Sequence, residues 1–116
     1  MSKIVRHDAG PILSRAVDYH GFVFLAGLVA NDLTKDIIGQ TEEIVAQIDE
    51  ELERCGTDKT RLLSAQIWVK HIRDRERMNL VWTRWLPAGG APARACVQAE
   101  MAHPDVLVEI MVTACK

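Results

Sequence analysis

The sequence predicts an α+β domain of order β-β-α-β-α-β-β, with two helices covering one face of a sheet. The apolar stripe Ile44, Ile48, Leu52 recurs every four residues, a helical period. Leu63, Ala65, Ile67 and Val69 alternate with Ser64, Gln66 and Trp68, the period of a half-buried strand. Near the end of the chain, Pro92-Ala93-Arg94-Ala95-Cys96-Val97-Gln98 and Val106-Leu107-Val108-Glu109-Ile110 both read as strands.

Taken in order, Ile4 to His7 reads as a short first strand, broken by Gly10-Pro11. Arg15 to Tyr19 is extended and His20-Gly21 is a turn. Phe22 to Ala26 is the second strand, and Asn31 to Gly39 is a polar connection. The first helix runs from Gln40 to Cys55; Glu42 and Glu43 suit the positive end of its dipole, and Gly56 stops it. A strand over Leu62 to Lys70 follows. Asp74 caps a second helix whose apolar face is Met78, Val81, Trp82 and Trp85, and Pro87 with Gly89-Gly90 ends it. Ala93 to Met101 and Val106 to Cys115 are the last two strands. Their short connection, Ala102-His103-Pro104-Asp105, favours an antiparallel hairpin.

With 116 residues the chain is expected to be one domain, 1–116. A net charge of −2 gives no bulk attraction to nucleic acid or anionic membranes. The apolar run Phe22 to Ala30 is too short to span a bilayer, and Met1 to Asp8 carries no apolar core of a secretory leader. Three cysteines, Cys55, Cys96 and Cys115, have no CxxC spacing and read as free thiols in a reducing cytoplasm. His7, His20, His71 and His103 form neither an HxxxH nor an HxxE pattern, so no metal is expected.

The helices are expected to cover Leu63, Ala65, Ile67 and Val69 together with Val97, Ala99, Val108, Ile110 and Val112. The other face is expected to show Trp68, Cys96, Leu107 and Met111 among Arg94, Gln98 and Glu109. Such a mixed patch marks an interface or a site, which points to a homo-oligomer closing over it. The hairpin places Glu109 near Cys96 or Gln98. Arg94 offers a planar fork that grips a carboxylate, and a nearby Glu109 can hold or deprotonate water. Together they suit hydrolysis at a carbon next to a substrate carboxylate. The structural alternative is that Arg94 and Glu109 pair with each other or with a neighbouring subunit. Cys96 is better read as a small buried hydrophobe than as a nucleophile. Trp68, Trp82 and Trp85 read as core and interface residues, and Gly89-Gly90 is not a phosphate loop.

On these residues the sequence resembles the RidA/YjgF family of imine and enamine deaminases, as a divergent member. The likeness rests on Gly10-Pro11 with Ser14-Arg15-Ala16-Val17, Leu25-Ala26-Gly27, Gly39-Gln40-Thr41, Met78-Asn79-Leu80-Val81-Trp82, the Pro92 to Gln98 block and Val108-Glu109-Ile110. The resemblance implies a chorismate-mutase-like fold with a mixed sheet, and a homotrimer with sites in the clefts between subunits. It implies that Arg94 binds the substrate carboxylate, Cys96 lines the pocket chiefly through its backbone, Asn79 lies near the cleft and Glu109 positions the attacking water. The implied reaction is hydrolysis of 2-imino acids to 2-oxo acids and ammonia without a cofactor. Family members usually carry a tyrosine where Ile12 or Leu13 stands here, a serine where Ala26 stands and Gln-Pro where Leu28-Val29 stands. These departures leave a more apolar pocket and suggest an altered substrate, weak activity or none. A ligand-binding or regulatory protein is therefore the alternative. An RNA-directed or chaperone-like role, proposed for some relatives, is disfavoured on the RNA side by the charge balance.

Overall fold

The computed structural model describes residues 3–116; Met1 and Ser2, part of the segment read for a leader, lie outside them. Strands β1 (Val5–His7), β2 (Ala16–Tyr19) and β3 (Phe22–Leu25) form an antiparallel meander. The turn between β2 and β3 is His20-Gly21, with φ of 51° and 80°. Two successive left-handed residues match the twist of the flanking strands, which is why a glycine sits at the second. Helix α1 (Ile37–Arg54), β4 (Leu62–Val69), α2 (Arg75–Trp85), β5 (Ala93–Gln98) and β6 (Val108–Cys115) follow.

The sheet is six-stranded and mixed, in the order β1-β2-β3-β6-β4-β5. Strand β6 is antiparallel to both its neighbours, β3 and β4, while β5 pairs with β4 in parallel. Strands β3, β4 and β5 therefore run the same way, each joined to the next by a helix, and β6 is slotted between the first two. The expected two-helix α+β class holds, with one more N-terminal strand than predicted because Ala16–Tyr19 joins the ladder.

The expected β5–β6 hairpin does not form. The two strands end sooner and start later than read, leaving 99–107 between them. This is long enough to carry the chain past β4 to the slot beside β3. The pairing reverses the expected face of β5. Arg94, Cys96 and Gln98 stand opposite Ala65, Ile67 and Val69, on the side of the helices. Val97 stands opposite Trp68 on the open face and is 44% exposed, and Leu107 packs against the core. A register irregularity between Leu62 and Ser64 likewise turns Leu62 inward and leaves Leu63 exposed.

Helix α1 begins three residues before the predicted Gln40. Asp36 Oδ1 accepts from the Gly39 amide at 2.9 Å, an N-cap that the glycine had disguised as loop. At its other end Gly56 (φ 80°) donates to the Glu53 carbonyl and Thr57 to the Leu52 carbonyl, the paired bonds of a Schellman stop. Asp74 precedes α2 as read, but its side chain makes no cap bond. Ile44, Ile48 and Leu52 of α1 and Met78, Val81, Trp82 and Trp85 of α2 are buried against Val23, Leu25, Ile67, Val108, Ile110 and Val112. Each large aliphatic side chain removed from water in this layer contributes about 2 kcal/mol. The two helices are tied by Trp85 Nε1 donating to Asp49 Oδ2 at 3.0 Å. Among the described residues no helix is long and apolar enough to cross a membrane.

Gln40 fastens the β5–β6 connection. Its side chain has no exposed surface. Nε2 donates to the Lys35 and Asp105 carbonyls at 3.0 and 2.9 Å, and Oε1 accepts from the Leu107 amide at 2.9 Å. Replacing it with an apolar residue of similar size strands three backbone groups. Gln40→Leu is expected to lower stability by about 2–4 kcal/mol, read as a shift of the urea midpoint at unchanged slope; a loss well under 1 kcal/mol would show that water replaces the amide.

Candidate active site

The predicted site residues fall into two groups on opposite faces of the sheet. The first is built on β5 and α2. Asn79 and Trp82 are three residues apart on the helix and share a flank. Arg94 reaches this flank: its Nη1 donates to Asn79 Oδ1 at 2.7 Å, and its guanidinium carbon lies 5.9 Å from the centre of the Trp82 ring. The amide fixes one edge of the guanidinium fork and the ring attracts its charge. No ion pair to Arg94 occurs among the described residues. Arg94 is itself exposed, on an edge strand whose residues are mostly exposed.

Cys96 lies two residues along β5 on the same face and packs partly against the core. Burial pushes its thiol pKa up, and the weaker opposing pull of the Arg94 and Arg75 charges does not cancel this. The thiol is therefore protonated at neutral pH, which fits the reading of Cys96 as wall rather than nucleophile.

The second group lies on the open face around Glu109 of β6. Gly27 follows β3, and the Leu28–Ile110 pair continues that ladder: the Leu28 amide donates to the Ile110 carbonyl at 2.8 Å, and the Ile110 amide donates to the Leu28 carbonyl at 3.1 Å. This brings Ala26 and Gly27 alongside Glu109. A Cβ at Gly27 would stand 2.2 Å from Glu109 Oε2, so the carboxylate rests on bare backbone. Glu109 has no hydrogen-bond or ion-pair partner among the described residues. Trp68 and Met111 flank it on the same face, as β4 opposes Trp68 to Glu109 and Gln66 to Met111.

Two expectations are thereby corrected. Glu109 is not beside Cys96 or Gln98, because β4 lies between β6 and β5 and the alternation of side chains puts the two sets on different faces. For the same reason Arg94 and Glu109 do not pair within one subunit. Leu13 stands 58% exposed in the turn closed by the Gly10 amide on the Leu13 carbonyl, with Ile12 91% exposed beside it; neither joins the other groups. A cleft of about 540 Å³ opens past the end of β5 between Lys70, His71, Gln98 and His103, and neither Arg94 nor Glu109 lines it. Sequence reasoning did not assign the support of Arg94 by Trp82, which the three-residue spacing from Asn79 signals. The seat of Glu109 on Gly27 has no signal in spacing.

Residues 6–116 match the family model described as Endoribonuclease L-PSP. A RutC family protein of Haemophilus ducreyi is 36% identical over 111 residues, covering 96% of this chain and 95% of that protein. The RutC family protein YoaB of Escherichia coli K12 is 38% identical over 111 residues, covering 96% of both. The crystal structure of a YjgF family member from Neisseria meningitidis superposes with a TM-score of 0.94 at 41% identity, covering 98% of this chain and 95% of that one. A Rid family protein of Yersinia pestis, 24% identical, shares the fold with a TM-score of 0.88, covering 100% of both chains.

The protonated state of Cys96 has a direct test. In a chain carrying Cys55→Ser and Cys115→Ser, iodoacetamide is expected to modify Cys96 more slowly at neutral pH than it modifies a free thiol. The rate should rise at a higher pH than for that thiol, and Arg94→Gln should move the rise higher still. A rate that saturates below pH 8 would instead mean a stabilised thiolate.

Proposed function

The chain belongs to the Endoribonuclease L-PSP family, the family of the RutC, YjgF and Rid proteins, and on that premise we propose that it hydrolyses reactive 2-imino acids to 2-oxo acids and ammonia. The observation that carries this reading is an arginine held by a neutral amide and an aromatic ring, with no carboxylate of its own. Such a guanidinium is oriented in advance to take a substrate's acid group. A carboxylate on the open face, seated on glycine and without a partner of its own among the described residues, supplies the other need of the reaction, a base for water.

The two groups lie on opposite faces of one sheet, so a site using both must draw them from two subunits. We propose a homotrimer in which the β5–α2 edge of one protomer closes over the open face of the next. The apolar side chains left on that face, Phe22 and Phe24 at 44% exposure and Met111 at 42%, support burial there. In the cleft Arg94 grips the carboxylate and holds the imine carbon toward Glu109 of the neighbour. Glu109 takes a proton from water as its oxygen adds to that carbon and passes it to the imine nitrogen, giving a carbinolamine. As the carbon–nitrogen bond breaks, Glu109 carries the carbinol hydroxyl proton to the departing nitrogen, leaving the 2-oxo acid and ammonia. The chemistry requires no cofactor. The exposed Leu13 and Ile12 and the side chain of Ala26 offer no hydroxyl, which supports a substrate with a bulkier apolar group. The same losses favour one second reading, a subunit that binds small acids without turnover; carboxylate binding that survives Glu109→Gln, with no ammonia released by the parent chain, would establish it.

Arg94→Ala is expected to reduce ammonia release from enzymatically generated 2-imino acids by about 100-fold or more while the assembly stays intact by light scattering. Glu109→Gln should do the same to turnover but keep carboxylate binding. Mixing and reassembling the two inactive variants then separates the geometries. A site shared between subunits regains about a quarter of the parental activity in a random ring, whereas a site within one subunit regains none.

A further inference from the structure

At the opposite edge of the sheet from Arg94, three residues distant in sequence converge. His7 on β1 and Asp18 on β2 both point to the helix side, as the pairing of His7 with Ala16 and of Asp18 with Val23 requires. Cys55 is the C-cap residue of α1 and is only 3% exposed. One ligand atom from each, a ring nitrogen, a carboxylate oxygen and the thiol sulfur, lie within 4.8 Å of one another. His7 Nε2 is 3.8 Å from Asp18 Oδ2, too far for a hydrogen bond, and it is buried without any hydrogen-bond partner.

We propose that His7, Asp18 and Cys55 form a binding site for a divalent cation of the zinc class. The donor set is the evidence for the class. Sulfur, imidazole nitrogen and one carboxylate oxygen are the ligands zinc prefers, and hard cations such as calcium or magnesium seek oxygen alone. Around a tetrahedral ion with bonds of about 2.0–2.3 Å, neighbouring donors stand about 3.5 Å apart. The observed spacing closes to that with shifts of about 1 Å in three side chains. An orphaned nitrogen beside an acid and a thiol is costly as it stands and satisfied once a metal links them. On binding, the Cys55 sulfur exchanges its proton for the metal bond and the proton goes to solvent. Water completes the fourth position. Lys116 Nζ already holds Asp18 Oδ2 at 2.7 Å, so the lysine competes with the ion for this carboxylate and sets its affinity. No spacing motif announces the site, because two strands and a helix end each supply one ligand.

Titration of the full, reduced chain with Co²⁺ alone tests this, since a thiolate on cobalt gives a charge-transfer band in the near ultraviolet. One equivalent should develop the band, Zn²⁺ should displace it, and Zn²⁺ should raise Tm. Cys55→Ser should abolish the band. Because that side chain is buried and its replacement can disturb folding, His7→Gln provides a second reading: the protein stays folded and its affinity for Co²⁺ falls about 10-fold or more. Lys116→Ala should strengthen binding. A band that persists in Cys55→Ser, an affinity indifferent to His7→Gln, or no band at stoichiometric cobalt overturns the proposal.

Discussion

The position of β6 is the constraint on which the rest of the molecule depends. Three strands run in one direction, and the last strand enters antiparallel between the first two of them. Val108, Ile110, Val112 and Ala114 close the core under both helices, and none is more than 1% exposed. The alternate residues, Glu109, Met111 and Thr113, must then appear on the face that no helix covers. A residue whose neighbours bury it so fully cannot slip by one position without exposing four apolar side chains and burying a carboxylate. The register of β6, and with it the place of Glu109, is thus held by the hydrophobic core and not by any bond that Glu109 makes.

The same insertion separates the chemistry into halves. β4 stands between β6 and β5, so the arginine at the sheet edge and the glutamate near its centre face different ways. Each half is orderly by itself: Asn79 and Trp82 hold Arg94, and Gly27 receives Glu109. A lone protomer keeps both halves and lacks the enclosure that a reaction excluding bulk water needs. On the proposed function, association of subunits bears on catalysis as well as on stability.

What was legible in the sequence was local. The stripe Ile44, Ile48, Leu52, the face Met78, Val81, Trp82, Trp85 and the alternation of Ala65, Ile67 and Val69 each depend on the period of one element, and each is buried as read. What failed depended on which strand lies beside which. The face of β5 was misjudged because its own alternation is equally consistent with either orientation, and only its partner, β4, decides. The short link read between β5 and β6 was an effect of overlong strands; 99–101 and 106–107 are mostly apolar, but beyond single backbone bonds at Ala99 and Leu107 they do not extend the ladders. Gly39 was read as loop, though a glycine in the first turn of a helix is tolerated when Asp36 caps it. Arg94, Asn79 and Glu109 are singled out by resemblance and by residue type, while the aromatic floor under Arg94 and the meeting of His7, Asp18 and Cys55 arise only from folding.

Gly27 carries a consequence for how such a protein diversifies. Its missing side chain is the space that the Glu109 carboxylate occupies, so even a methyl there displaces that carboxylate. On the proposed function, drift toward new substrates is channelled away from this wall and into the exposed turn at Ile12 and Leu13, where side chains can change size without displacing Glu109.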